Sequence, residues 1–205
     1  MKEKETDIFE QTKKFNTGIR LYMFQTGSIK TKLKFIKMNQ SDEPYEIPVP
    51  WFLIKHPEGD VVIDGGMPIE VALDKHKHWG SVVEAYDPVM KASEWCKDVV
   101  KTVNTKPEDV KYVIQTHLHL DHSGAIGHFP NATHITQKLE YDYAFNPDWF
   151  SQPAYIRADF DKPNIRWKFL QGRKTDFYDV YGDGVIKVIF TPGHTPGHQS
   201  VLVNL

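Results

Sequence analysis

Residues 116 to 129 read THLHLDHSGAIGHF, and they place three histidines and one aspartate within six consecutive positions. The segment before them, KPEDVKYVIQ, is typical of a turn that runs into a strand. His117 and His119 are two residues apart where that strand is ending, so their side chains are expected to point the same way. Two neutral imidazoles on one side provide half of a tetrahedral Zn²⁺ site.

Asp121 and His122 follow at a point where Ser123 and Gly124 allow the chain to turn. From there they can face a neighbouring ion. The alternative is a solvated loop that is merely rich in histidine. Four potential ligands in six residues favour the metal site, because an unpaired buried carboxylate is costly and a metal ion gives Asp121 a partner.

The rest of the chain alternates strands and helices, which predicts a layered α/β domain. No internal repeat or linker divides it, so residues 1 to 205 are expected to form one domain. We expect a strand over 19–25 and a turn over 26–28, then two strands joined by a turn over 56–59. Further along we expect an amphipathic helix over 91–104, a strand and helix meeting near Gln137, and a final strand, turn and strand over 184–205.

Composition excludes several classes of protein. With 40% hydrophobic and 25% charged residues, the chain is typical of a soluble globular protein. A net charge of −2 gives no reason to expect a nucleic acid or an anionic membrane as partner. The single cysteine, Cys96, excludes an internal disulfide and fits a reducing compartment, so a cytoplasmic location is expected.

Three motifs in order carry a resemblance to a known family. HLHLDH (117–122) resembles the metal-binding signature of the metallo-β-lactamase superfamily. Asp64 in VVIDGGMP is similar to its first motif, and His194 in FTPGHTPGH is similar to its third. QKLEY (137–141) makes the chain most similar, within the superfamily, to the N-acyl-homoserine lactonases, which hydrolyse quorum-sensing signals.

The resemblance implies an αββα sandwich with two Zn²⁺ ions at one edge, and a small lactone as the partner. It also implies that a metal-activated hydroxide would attack the lactone carbonyl, that Asp121 would protonate the leaving alkoxide, and that Asp64 would order the metal loops through hydrogen bonds. The implied ligands of the first zinc are His117, His119 and His194, and those of the second are Asp121 and His122.

Several other residues have two interpretations. His198 has the spacing of a ligand, but only the first histidine of that turn serves the family, so a packed or hydrogen-bonded histidine is expected. His76 and His78 are most simply part of a solvated turn. Among the aromatic residues of 141–155, Trp149 and Phe150 are the candidates for an acyl-chain pocket, and the others are expected in the core.

The runner-up functions share the metal site. One is a thioesterase similar to glyoxalase II, or another ester hydrolase of the same fold; the other is a non-catalytic metal-binding protein. The family pattern also needs a bridging aspartate and a last histidine after the His194 turn, yet neither residue type follows His198. We therefore expect the 205 residues to be part of a longer gene product whose C-terminal strand-helix units are missing from this sequence. We also expect the chain as printed to be poorly active and to hold at most one zinc tightly.

Overall fold

In a computed structural model, residues 18–175 and 177–205 are described, and they form two β-sheets with helices on the outside. The larger sheet has seven strands in the order β4-β1-β2-β3-β5-β6-β7. These strands are β1 (Arg20–Lys32), β2 (Pro44–Lys55), β3 (Asp60–Ile63), β4 (Asp87–Val89), β5 (Val110–Ile114), β6 (Thr133–Gln137) and β7 (Trp167–Leu170).

The direction of the strands changes across the larger sheet. β1 and β2 form a long antiparallel hairpin, and β3 pairs antiparallel with β2. From β3 onward the pairs β3–β5, β5–β6 and β6–β7 are parallel. The carboxyl ends of β3, β5 and β6 therefore lie at the same edge of the sheet.

The smaller sheet is antiparallel, in the order β10-β9-β8. Its strands are β8 (Phe177–Asp179), β9 (Ile186–Phe190) and β10 (Gln199–Val203). The Gly- and Pro-rich segment 191–198 is the turn that connects β9 to β10.

Side-chain alternation builds one core on each face of the larger sheet. Ile54, Ile63 and Ile114 point inward and pack against Ile186 and Val188 of the smaller sheet. All five are buried, so this layer joins the two sheets face to face.

The opposite face of the larger sheet is covered by short helices. Leu53, Val62 and Val113 point outward and pack against Cys96 and Val100. The α-helices are α1 (Leu33–Ile36), α2 (Ile69–Trp79), α3 (Cys96–Val99), α4 (Lys138–Phe145) and α5 (Arg157–Phe160).

The strand-turn-strand over 48–66 and the meeting of β6 and α4 at Gln137 agree with the sequence prediction. The predicted turn over 26–28 is wrong, because β1 continues through it with a bulge between Gln25 and Ser28. Gly27 has φ 62, and a Cβ there would lie 1.9 Å from the carbonyl oxygen of Val89. Contact with β4 therefore keeps this glycine inside the strand.

The helix predicted over 91–104 is confirmed only in part, because residues 92–94 and 96–103 are helical but the chain between them is not. The chain is extended at Trp95, with ψ 131, and only Cys96–Val99 is α-helical. Trp95 Nε1 and Cys96 Sγ both donate hydrogen bonds to the carbonyl oxygen of Gly124, each over 3.3 Å. These contacts with the histidine-rich loop interrupt the helix.

None of the helices in the described ranges combines the length and the apolar character needed to cross a membrane.

Leu53 offers a direct test of the outward-facing core. Its side chain is fully buried, so Leu53→Ala should lower the free energy of unfolding by about 2–5 kcal/mol. Leu73 on α2 is 73% exposed, and Leu73→Ala should change it by less than about 0.5 kcal/mol. Chemical denaturation of both variants measures the difference, and equal losses would contradict this packing.

Candidate metal centre

The site lies where the carboxyl ends of β3, β5 and β6 meet the turn between β9 and β10. Gln199, at the start of β10, fastens the two sheets together there. Its backbone N–H donates to the carbonyl oxygen of Thr116 over 2.9 Å, and its side-chain amide donates to that of Gln115 over 2.7 Å. Its amide oxygen accepts a hydrogen bond from Gln137 over 2.8 Å. The segment after β5 and the turn after β9 are thereby held side by side.

Three histidines from these two segments converge. His117, His119 and His194 each offer a ring nitrogen, and the three nitrogens lie within 4.8 Å of one another. His194 Nε2 is 3.1 Å from His119 Nδ1. Nitrogen ligands of a tetrahedral zinc are separated by about 3.3 Å, given metal–nitrogen bonds of about 2.0–2.1 Å. The cluster therefore has the dimensions and the donor type that suit Zn²⁺.

Hydrogen bonds fix which nitrogen of His117 faces the cluster. Asp64 Oδ2 accepts from the Thr116 hydroxyl over 2.9 Å, so that hydroxyl must in turn accept from His117 Nδ1, also 2.9 Å away. The lone pair is then on Nε2, which is buried and lacks a hydrogen-bond partner among the described residues. A buried nitrogen left unpaired is costly unless an ion occupies the space it faces.

Asp64 organises the loop from the end of β3. Besides the hydroxyl of Thr116, its carboxylate accepts the backbone N–H of Thr116 over 2.7 Å and His122 Nδ1 over 2.8 Å. Asp64 itself has φ 64, a left-handed conformation that is uncommon outside glycine. A residue held in this conformation at a site is a sign that the surrounding contacts determine its geometry.

The environment keeps the three clustered histidines neutral. Burial, followed by the charges of neighbouring histidines, holds the pKa of His117 well below its usual range. Burial likewise lowers the pKa of His119 to about 3 and also lowers the pKa of His194. A neutral imidazole is the form that binds a metal ion.

Asp121 and His122 lie beside this cluster. The ring of His122 is centred 4.1 Å from that of His117, and His122 Nε2 is 3.6 Å from a carboxylate oxygen of Asp121. Burial lowers the pKa of His122, but the carboxylates of Asp121 and Asp64 outweigh it and raise the pKa to about 9. A metal ion at His122 therefore has to displace a proton.

His198 has a different environment from the three clustered histidines. Its Nδ1 lies 3.0 Å from the hydroxyl of Thr191 and 3.1 Å from the carbonyl oxygen of the same residue. It therefore agrees with the expectation of a hydrogen-bonded histidine. The predicted solvated turn at His76 and His78 is wrong, since both lie within α2 and His78 Nε2 is 2.8 Å from the buried Asp159.

The aromatic residues of 141–155 divide into two exposed ones and a packed group, and only the packed group was expected in the core. Trp149 and Phe150 are 84% and 66% exposed. Their loop is attached beside the cluster, because the N–H of Leu120 donates to the carbonyl oxygen of Ala154 over 2.9 Å. The remaining aromatic residues of this region pack together in a core: Tyr141, Tyr143, Phe145 and Tyr155.

Sequence reasoning missed the supports beneath the histidines. Gln199, Glu140 and Thr195 are buried polar residues that hold the metal loops by hydrogen bonds across the fold. Glu140 stands in the QKLEY motif, but its partners come from distant segments. The signal in the sequence was the position of Glu140, a polar residue on the face of α4 that turns toward the core.

The fold and the site together define a metal-dependent hydrolase of the αββα sandwich class. Residues 44–205 match the family model of the metallo-beta-lactamase superfamily. The chain belongs to this superfamily, and the predicted sandwich fold is confirmed.

Two relatives with known names are similar to this chain over most of its length. The chain is 60% identical over 190 residues to a protein of Rhizobium radiobacter named N-acyl homoserine lactonase AttM, covering 92% of this chain and 72% of that protein. It is 33% identical to an N-acyl homoserine lactonase of Bacillus cereus, over 77% of this chain and 58% of that one.

A solved structure resembles the fold closely. It is an N-acyl homoserine lactone hydrolase with the product N-hexanoyl-L-homoserine bound at its catalytic metal centre. The two superpose with a TM-score of 0.76 and 28% identity, covering 89% of this chain and 69% of that one. The resemblance inferred from the three motifs is confirmed.

Two glycines of the β9–β10 turn provide a matched test of its packing. A Cβ at Gly197 would lie 2.2 Å from the backbone nitrogen of Glu140, whereas a Cβ at Gly193 would have no atom within 4 Å. Gly197→Ala should therefore lower the free energy of unfolding by about 1–3 kcal/mol, as overpacking does. Gly193→Ala should have little effect in the same denaturation experiment, and equal effects would show that the turn does not rest against α4.

Proposed function

We propose that this protein is a metal-dependent hydrolase that opens the lactone ring of N-acyl-homoserine lactones and so inactivates quorum-sensing signals. The observation that carries the proposal is the convergence of His117, His119 and His194, with the unpartnered Nε2 of His117 facing the cluster. Relatives named as N-acyl homoserine lactonases support the choice of substrate.

In this proposal the three histidines hold one zinc ion, and Asp121 and His122 contribute to a second. Asp64 orients a ligand of each zinc ion. It bonds His122 directly, and it orients His117 through the hydroxyl of Thr116. When bound, the metal supplies Lewis-acid activation of the lactone carbonyl and lowers the pKa of a water molecule. Ester hydrolysis needs this help because negative charge develops on the carbonyl oxygen in the transition state.

Asp121 is proposed to transfer a proton to the ring oxygen that leaves. Its side chain is 26% exposed, so it can reach a bound substrate from the open side of the cluster. The Asp121 carboxylate would take up the proton that the attacking water loses and pass it to the ring oxygen, so that this oxygen leaves as an alcohol and not as an alkoxide.

Trp149 and Phe150 are proposed to contact the acyl chain. Their rings are centred 5.8 Å apart and lie edge to face, forming an apolar surface on the loop attached at Leu120. Large exposed apolar patches commonly mark binding sites.

The first experiment compares two substrates and measures metal content. Purified protein should contain zinc and should hydrolyse an N-acyl-homoserine lactone much faster than a glutathione thioester. Faster hydrolysis of the thioester would assign the glyoxalase-like function. Bound zinc without turnover of either substrate would assign a metal-binding role alone.

His119→Ala should remove hydrolysis and at least one zinc per chain while leaving the protein folded. The reason is that this substitution deletes one of the three converging nitrogens, and two remaining ligands hold zinc poorly. Metal analysis, lactone opening and circular dichroism measure the three properties. His76→Ala is the control, since His76 is an exposed histidine on α2. Retained turnover in His119→Ala at saturating zinc would contradict the ligand assignment.

The rate should also depend on the length of the acyl chain. Each methylene buried against the aromatic pair contributes about 0.8 kcal/mol, so kcat/KM should rise a few-fold per added CH₂. Replacing both Trp149 and Phe150 by alanine should flatten this dependence, and Leu73→Ala should preserve it because Leu73 is an exposed apolar residue on α2. An unchanged dependence in the double variant would exclude these side chains as the acyl-chain surface.

A further inference from the structure

Glu140, in the first turn of α4, is a fully buried carboxylate. One of its oxygens, Oε1, accepts the backbone N–H of Leu118 over 3.0 Å and the hydroxyl of Tyr155 over 3.2 Å. The other, Oε2, accepts the hydroxyl of Thr195 over 2.6 Å. Three segments that are far apart in the sequence therefore meet at one side chain.

Each of these partners is adjacent to a clustered histidine. Leu118 lies between His117 and His119 in the sequence, and Thr195 directly follows His194. Tyr155 supports His119 from the side, with the two rings centred 4.8 Å apart at 75°. Glu140 therefore contacts a group next to each of the three clustered histidines. Leu118 adjoins His117 and His119 in the sequence, Thr195 adjoins His194, and Tyr155 packs against the ring of His119.

The packing around Glu140 leaves little room for movement. The turn that carries His194 approaches α4 so closely that only glycine fits at position 197. The N–H and hydroxyl groups that face the carboxylate are themselves enclosed, since Leu118, Tyr155 and Thr195 are all buried. Displacing any one of them means breaking a hydrogen bond in a region that water does not reach.

Stability alone does not account for a carboxylate in this position. A buried charge is costly to desolvate, and replacing such a group by an apolar residue is often neutral for the fold. Fully satisfied, it fixes the relative position of the groups that it joins. The benefit of Glu140 is therefore geometric.

We propose that Glu140 is the positioning residue of the metal centre, holding the His194 turn in register with the segment that carries His117 and His119. This inference rests on the proposed metal site. Its consequence is that zinc affinity depends on Glu140 and Thr195 although neither residue offers an atom to the metal.

Two threonines make the test specific. Thr195 donates to Glu140 beside the cluster, and Thr105 donates to the buried Asp60 over 2.7 Å outside it. Both threonines are buried, and both pair with a buried carboxylate. Thr195→Val and Thr105→Val therefore remove the same kind of bond with the same change of shape, one within the site and one outside it.

Zinc affinity is measured by competition with a chromophoric chelator, and the unfolding free energy of the metal-free protein is measured beside it. Thr195→Val should weaken zinc binding by about 10- to 100-fold, as loss of a group that orients a metal ligand commonly does. Thr105→Val should lose similar stability and keep the affinity of the unaltered protein. Glu140→Leu should weaken zinc binding more than Thr195→Val. Glu140→Gln should recover most of it, because an amide can still accept from Leu118 and donate to Thr195.

Unchanged zinc affinity in a folded Thr195→Val variant would overturn the inference, and so would an equal loss of affinity in Thr105→Val. If Glu140→Leu does not fold, the comparison of the two threonine variants decides alone. Failure of the unaltered protein to bind zinc at all would instead refute the proposed function, which keeps the two failures distinct.

Discussion

The Asp64 carboxylate is the interaction on which the site depends, because it joins the end of β3 to the histidine-rich segment after β5. It accepts two hydrogen bonds from Thr116 and one from His122, and the bond from the Thr116 hydroxyl sets the orientation of His117. Parallel pairing of β3 with β5 brings these groups to the same edge. Without that pairing, Asp64 would not reach the closely spaced histidines and could not orient them.

His194, the third clustered histidine, comes from the β9–β10 turn of the second sheet, so the packing of the two sheets determines where it lies. Inward-facing isoleucines of the larger sheet pack on β9, and this packing sets the position of the β9–β10 turn relative to the edge of the larger sheet. Gln199 and Glu140 then align that turn with the segment after β5. Burial lowers the pKa of all three clustered histidines and so favours their neutral, metal-binding form. The carboxylates of Asp121 and Asp64 instead raise the pKa of His122.

Much of this arrangement could be predicted from the sequence, because most of the metal ligands lie in short, continuous motifs. Ligands two residues apart at a strand end share a side, and the order of three short motifs specifies the superfamily. The bulge at Gly27 and the interrupted helix at Trp95 could not be predicted, because their causes are contacts with β4 and with Gly124. Strands β7 and β8, of four and three residues, carry too little periodicity to be recognised. The supporting role of Glu140 depends on partners 15 to 55 positions away, which no local pattern contains.

The central claim is that His117, His119 and His194 together hold a metal ion. Anomalous diffraction at the zinc edge, from crystals of the purified protein grown with zinc, tests it most directly. The account predicts a peak bonded to one nitrogen of each of the three rings, at about 2.0–2.1 Å, with Nε2 as the atom from His117. A peak bonded to other side chains, or no peak at this cluster in protein saturated with zinc, would contradict it.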